Sequence, residues 1–125
     1  MISSAELNPH GYPTTDEIDT NLAVLLERIN KIRSAWAKPM TVTSGLRSQA
    51  QQDQLIAQGK SSASHSKHLI GAAVDIYDPE LQLTAWLKAD PDLLELAQLW
   101  CEEGNTNWVH LQIFPPASGN RWFLP

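Results

Sequence analysis

The longest regular pattern in the chain is an apolar stripe. Ile18, Leu22, Leu25, Leu26, Ile29 and Ile32 recur at spacings of three and four, the signature of one buried face of a helix about four turns long. Thr14 can cap this helix, and Glu17, three residues on, can complete a capping box. Pro39 is expected to end it. Residues 40–44 then read as a short strand that delivers Gly45 and Arg47 to its end. Residues 48–58 read as a second helix, capped by Ser48 and closed by Gly59. Small polar residues over 60–64 predict a mobile loop.

Residues 72–77 alternate like a strand, which Asp78-Pro79 breaks. Two helices are expected over 81–88 and 91–99, the second with Asp90 as cap and Pro91 at its first position. Trp86, Leu93, Leu94, Ala97 and Trp100 are assigned to the core. The run 108–113 is apolar and β-branched and reads as a strand ended by Pro115-Pro116. Residues 121–124, Arg-Trp-Phe-Leu, are expected to pack the tail back onto the domain. Runs of helices mixed with a few short strands predict an α+β domain, with a small, mainly antiparallel sheet.

Composition narrows the function classes. At 125 residues with 42% apolar side chains, the chain is one domain, 1–125, able to bury one core. A net charge of −5, without a basic cluster, argues against binding nucleic acid or an anionic membrane surface. The single Cys101 excludes an internal disulfide and a cysteine-rich zinc module. The first dozen residues lack a signal-peptide pattern, and no run approaches the roughly 18 apolar residues of a membrane span.

The chemistry concentrates at His68, Asp75 and His110. His68 and Asp75 lie seven residues apart, separated by Gly71, Ala72 and Ala73. A loop or bend carrying His68, then a strand presenting Asp75 on one face, is the simplest geometry. Gly71 at the joint allows a conformation or a close approach that other residues resist. In its strand His110 shares a face with Trp108 and Gln112, opposite Val109, Leu111 and Ile113. Two imidazoles and one carboxylate are ordinary zinc ligands, and three of them leave the fourth position a catalytic site needs.

With these spacings the chain resembles the M15 peptidases, zinc D-Ala-D-Ala carboxypeptidases and cell-wall endopeptidases that share a fold with the hedgehog signalling domain. The resemblance rests on Ser66-x-His68-x-x-Gly71-x-Ala73-x-Asp75, preceded by Ser44-Gly45-Leu46-Arg47-Ser48 and followed by Trp108-Val109-His110. It implies Zn2+ held by His68, Asp75 and His110. Arg47 is implied as an active-site residue; as a guanidinium it can clamp a substrate carboxylate. Leu46 stands where the family commonly has an aromatic residue. Ser66 is expected to hydrogen-bond in the site rather than act as a nucleophile, since no serine-hydrolase arrangement accompanies it. His65 is read as a rim or substrate-side residue.

Many M15 peptidases carry an acid three positions before the last histidine, where this chain has Asn107, which cannot exchange protons. Some branches place the acid at the end of the preceding strand, and Leu99-Trp100-Cys101-Glu102 resembles that arrangement. Glu102 is therefore expected to be the general base, with Glu103 as the alternative. The implied function is hydrolysis of a peptidoglycan stem or cross-bridge peptide by a monomer, in phage or prophage lysis. The protein would be made in the cytoplasm and act at the wall after release, or within a phage particle. The alternative is a non-catalytic wall-binding or phage structural relative that retains the zinc site.

Overall fold

The computed structural model describes residues 1–60 and 66–125. The expected mobile loop at 60–64 and the expected rim residue His65 fall, apart from Lys60, outside the described residues. A short helix α1, Ser4–Leu7, precedes the long helix α2, Asp16–Trp36. The polar start of the chain gave no sign of α1, although Ser3 and Glu6 form a capping box there. The cap of α2 is Thr15 rather than Thr14, its side chain accepting from the Ile18 N–H. The helix also stops before Pro39, because Ala37 takes a left-handed conformation with φ 59°.

Strand β1, Val42–Ser44, leads into α3, Gln49–Ala57, whose cap is Ser48 as expected. A 3-10 turn at Lys67–Ile70 precedes β2, Ala73–Asp78. Helices α4, Gln82–Ala89, and α5, Asp92–Ala97, follow. The cap position of α5 falls on Pro91 rather than Asp90, and no side chain caps it there, although Asp90 Oδ1 accepts from the Asp92 N–H at 3.1 Å. Strands β3, Trp100–Glu102, β4, Asn107–Gln112, and β5, Trp122–Phe123, complete one sheet in the order β1-β2-β4-β3-β5. All neighbours pair antiparallel except β3 and β5. The architecture is α+β, and the tail does pack back, as β5.

The sheet divides the molecule by side-chain alternation. Val74, Ile76, Cys101, Val109 and Leu111 join Leu25, Ile29 and Ile32 of α2 and Leu87 and Leu94 of α4 and α5 in one buried apolar cluster. Trp86 and Leu93 pack against that cluster while remaining partly exposed. The residues between them in sequence point to the other face. Across β2 and β4 the register pairs Asp75 with His110 and Tyr77 with Trp108. Across β3 and β4 it pairs Trp100 with Gln112 and Cys101 with Leu111, and the same register continued one residue would set Glu102 opposite His110, on which its charge acts. Ser44 of β1 lies beside Asp75. A row of Ser44, Asp75, His110 and Glu102 therefore crosses four strands on the face away from the core.

Candidate metal centre and its cleft

His68 reaches this row from the 3-10 turn. Ser66 caps the turn, its Oγ accepting from the His68 N–H at 3.2 Å. Gly71 closes it with φ 72°. A Cβ at Gly71 would meet the Leu22 side chain at 2.9 Å and Ile18 at 3.2 Å, so a left-handed backbone and close packing against α2 both require glycine. Asn21 of α2 donates to the Ile70 carbonyl at 2.9 Å. The start of the long helix thus fixes the turn that carries His68.

His68, Asp75 and His110 are buried, and one ligand atom from each lies within 4.8 Å of the others. His68 Nε2 stands 3.2 Å and His110 Nδ1 3.0 Å from Asp75 Oδ1. Two ligands each about 2.0–2.1 Å from a tetrahedral zinc lie about 3.4 Å apart, so these separations are close to the edges of a zinc tetrahedron. The polarity fits as well. His68 Nδ1 lies 2.9 Å from the Gly45 carbonyl oxygen, which can only accept. The proton of the neutral ring therefore sits on Nδ1, and the Nε2 lone pair is aimed at the carboxylate. A lone pair facing a carboxylate in a buried site calls for a cation between them. The residues present fit a divalent metal.

The charges of the metal-free site follow the same logic. Burial works against the charge of Asp75, but the two imidazoles beside it outweigh burial and hold its carboxyl well below the usual carboxylate range. Burial also pulls His68 down, and this wins over the attraction of Asp75. At His110 burial is overcome by the hydrogen bond and charge of Asp75, and the pKa rises.

The remaining expected residues are placed as follows. Arg47 lies at the site but is held by the protein: Nη2 donates to Asp75 Oδ2 at 3.2 Å, Nη1 to Gln52 Oε1 at 3.0 Å, and Nε to Ser44 Oγ at 2.9 Å. A guanidinium has five N–H groups, so two are left without a partner among the described residues. Glu102 lies at the end of β3, and its charge acts on both Arg47 and His110. Glu103 is tied instead to Lys88, with Nζ and Oε2 2.9 Å apart. Asn107 opens β4 with φ 73°, a conformation that asparagine tolerates better than most residues.

A cleft of about 370 Å³ opens beside the metal ligands. Its walls include Ser44, Arg47, Lys60 and Asp75, with Tyr77, Asn107 and Trp108 at one end. Tyr77 is 54% exposed although it sits on a central strand. Gln52 and Gln112 also contact the site and were given no role from sequence, and Gly45 entered there only as part of the motif that carries Arg47. The one readable sign was for Gln112, two residues from His110 on the same strand face.

The fold and site together define a small α+β metallopeptidase. The sequence profile of the family described as Peptidase M15 matches residues 2–112, and the chain belongs to the M15 peptidases. A search among curated proteins found no match. The chain's fold is similar to that in the crystal structure of the Serratia marcescens L-Ala D-Glu endopeptidase ChiX. That likeness has a TM-score of 0.58 and 22% identity, and covers 86% of this chain and 95% of ChiX. No helix among the described residues is long and apolar enough to cross a membrane.

Proposed function

We propose that this peptidase is a zinc enzyme that hydrolyses a peptide bond in bacterial peptidoglycan, in a stem or cross-bridge peptide. The observation that carries the proposal is the convergence of His68, Asp75 and His110 beside an open cleft. His68, Asp75 and His110 would hold the metal, which when bound supplies Lewis acidity to polarise the scissile carbonyl and acidify water. Glu102, across from His110, accepts the proton of the attacking water and returns it to the leaving amine. Glu103 is disfavoured in this role by its ion pair with Lys88. Arg47 keeps Asp75 in place and offers its two remaining N–H groups to a substrate carbonyl or carboxylate. Tyr77 and Trp108 supply an aromatic wall for the peptide. The fold likeness to a protein described as an L-Ala D-Glu endopeptidase supports a wall peptide as substrate.

The test is digestion of purified peptidoglycan by zinc-loaded protein, with products identified by mass spectrometry. Release of free D-alanine would show a carboxypeptidase, and new internal amino termini would show an endopeptidase. Absence of both would leave the second reading, a non-catalytic wall-binding relative. Asn107 favours that reading, since it puts no acid at the position the family commonly uses.

A further inference from the structure

We infer that Gln112 is a positioning residue that fixes which nitrogen of His110 faces the metal. Gln112 is 4% exposed and lies two residues after His110, on the same face of β4. Its Oε1 stands 2.9 Å from His110 Nε2, and its Nε2 donates to the Phe114 carbonyl at 2.8 Å. A backbone carbonyl can only accept, so the amide must turn its NH2 toward Phe114 and its oxygen toward His110. An amide oxygen also only accepts. His110 must therefore carry a proton on Nε2, which makes Nδ1, 3.0 Å from Asp75 Oδ1, the nitrogen a metal would take.

His68 reaches the same end with the opposite nitrogen, through the Gly45 carbonyl. Both imidazoles thus have their polarity set by a backbone carbonyl, one directly and one relayed through a side-chain amide. Such outer partners orient a ligand and raise its basicity, and losing one typically costs 10–100-fold in metal affinity. Gln112 does not reach the cleft lining, so it would act on the metal and not on the substrate.

The inference rests on the proposed metal centre, and the experiment separates the two. Zinc affinity is measured by chelator competition for the wild type, Gln112→Leu and Gln112→Glu. Histidine ring nitrogens of the zinc-free protein are read by 15N NMR. The wild type is expected to show His110 protonated on Nε2. Gln112→Leu should mix the two tautomers and lose 10–100-fold in zinc affinity. Gln112→Glu keeps an acceptor at His110, although it loses the donor to the Phe114 carbonyl, and should lose less zinc affinity than Gln112→Leu. A wild-type His110 whose Nε2 carries no proton, or a Gln112→Leu protein that binds zinc as tightly as the wild type, would overturn the inference. If Gln112→Leu does not fold, the wild-type tautomer and Gln112→Glu still decide it. A wild type that shows the expected tautomer but binds no zinc would sink the metal centre and leave the Gln112–His110 relationship standing.

Discussion

Arg47 Nη2 and Asp75 Oδ2 lie 3.2 Å apart, so the second oxygen of the central carboxylate is already engaged by a cation of the protein. Asp75 consequently turns only Oδ1 toward the two imidazoles. Replacing Arg47 with alanine would leave a buried carboxylate oxygen and Gln52 without this donor. The expected result is a loss of roughly 1–3 kcal/mol in stability together with weaker zinc binding. Urea unfolding of the zinc-free protein checks the first part. An unchanged midpoint with only KM raised would show Arg47 to be a substrate clamp alone.

Gly45 holds His68 through its carbonyl while its own α-carbon is pressed against the Leu7 backbone. A Cβ there would collide with the Leu7 carbonyl group. Gly45→Ala should therefore shift the loop, with an overpacking cost of about 1–3 kcal/mol, and lower zinc occupancy although no ligand is touched. Thermal unfolding with and without zinc reads both effects.

Removal of the metal should be reversible and specific. Chelation is expected to abolish hydrolysis and lower the melting temperature, and added zinc should restore both. Mass action gives about 2.7 kcal/mol of stabilisation at zinc a hundredfold above Kd. In His68→Ala and His110→Ala that zinc-dependent shift should disappear, as calorimetry can show.

The two neighbouring glutamates should separate cleanly. Glu102→Gln is expected to retain zinc and lose at least about a hundredfold in kcat. Glu103→Gln should lose only its ion pair with Lys88, whose partners are substantially exposed, for at most about 1 kcal/mol. The opposite pattern in kcat would reassign the base to Glu103.

The depressed pKa of Asp75 sets an acid limit for the zinc-free protein. A carboxyl lowered in the folded state contributes stability that is complete above its unfolded value, 3.8, and is lost as pH falls toward the folded one. Stability should fall below about pH 4, and Asp75→Asn should flatten that fall. Urea midpoints measured across this range test the slope. An identical slope in the variant would mean that other carboxyls carry the acid response.

Much of this site was legible because its ligands are set by local rules. Alternation places Asp75 and His110 on strand faces, and Gly71 betrays a tight turn beside His68. The α+β class followed from elements that themselves read clearly. Contacts that depend on pairing between distant segments were harder to see. That Glu102 rather than Glu103 faces His110 is fixed by the β3–β4 register, which a one-residue slip would reverse. The three engagements of Arg47 require Gln52, Ser44 and Asp75 to converge from separate elements. Helix α1 escaped notice because four residues carry no periodicity. Asn107, at a position the family commonly gives to an acid, is placed in a turn conformation that suits its short amide side chain.

Helix α1 gives the metal centre a keeper remote from the ligands in sequence. The Leu46 N–H donates to the Leu7 carbonyl at 2.7 Å, and the Ile2 backbone is paired with Asn30 on α2. The first eight residues therefore clamp the loop from which Gly45 steadies His68. Retention of zinc becomes a gauge of whether this segment is docked. Transient release of α1, the kind of local opening that terminal segments undergo first, would let the metal escape while the sheet stayed folded. The lifetime of the bound metal, rather than its affinity alone, would then be governed by the amino-terminal segment.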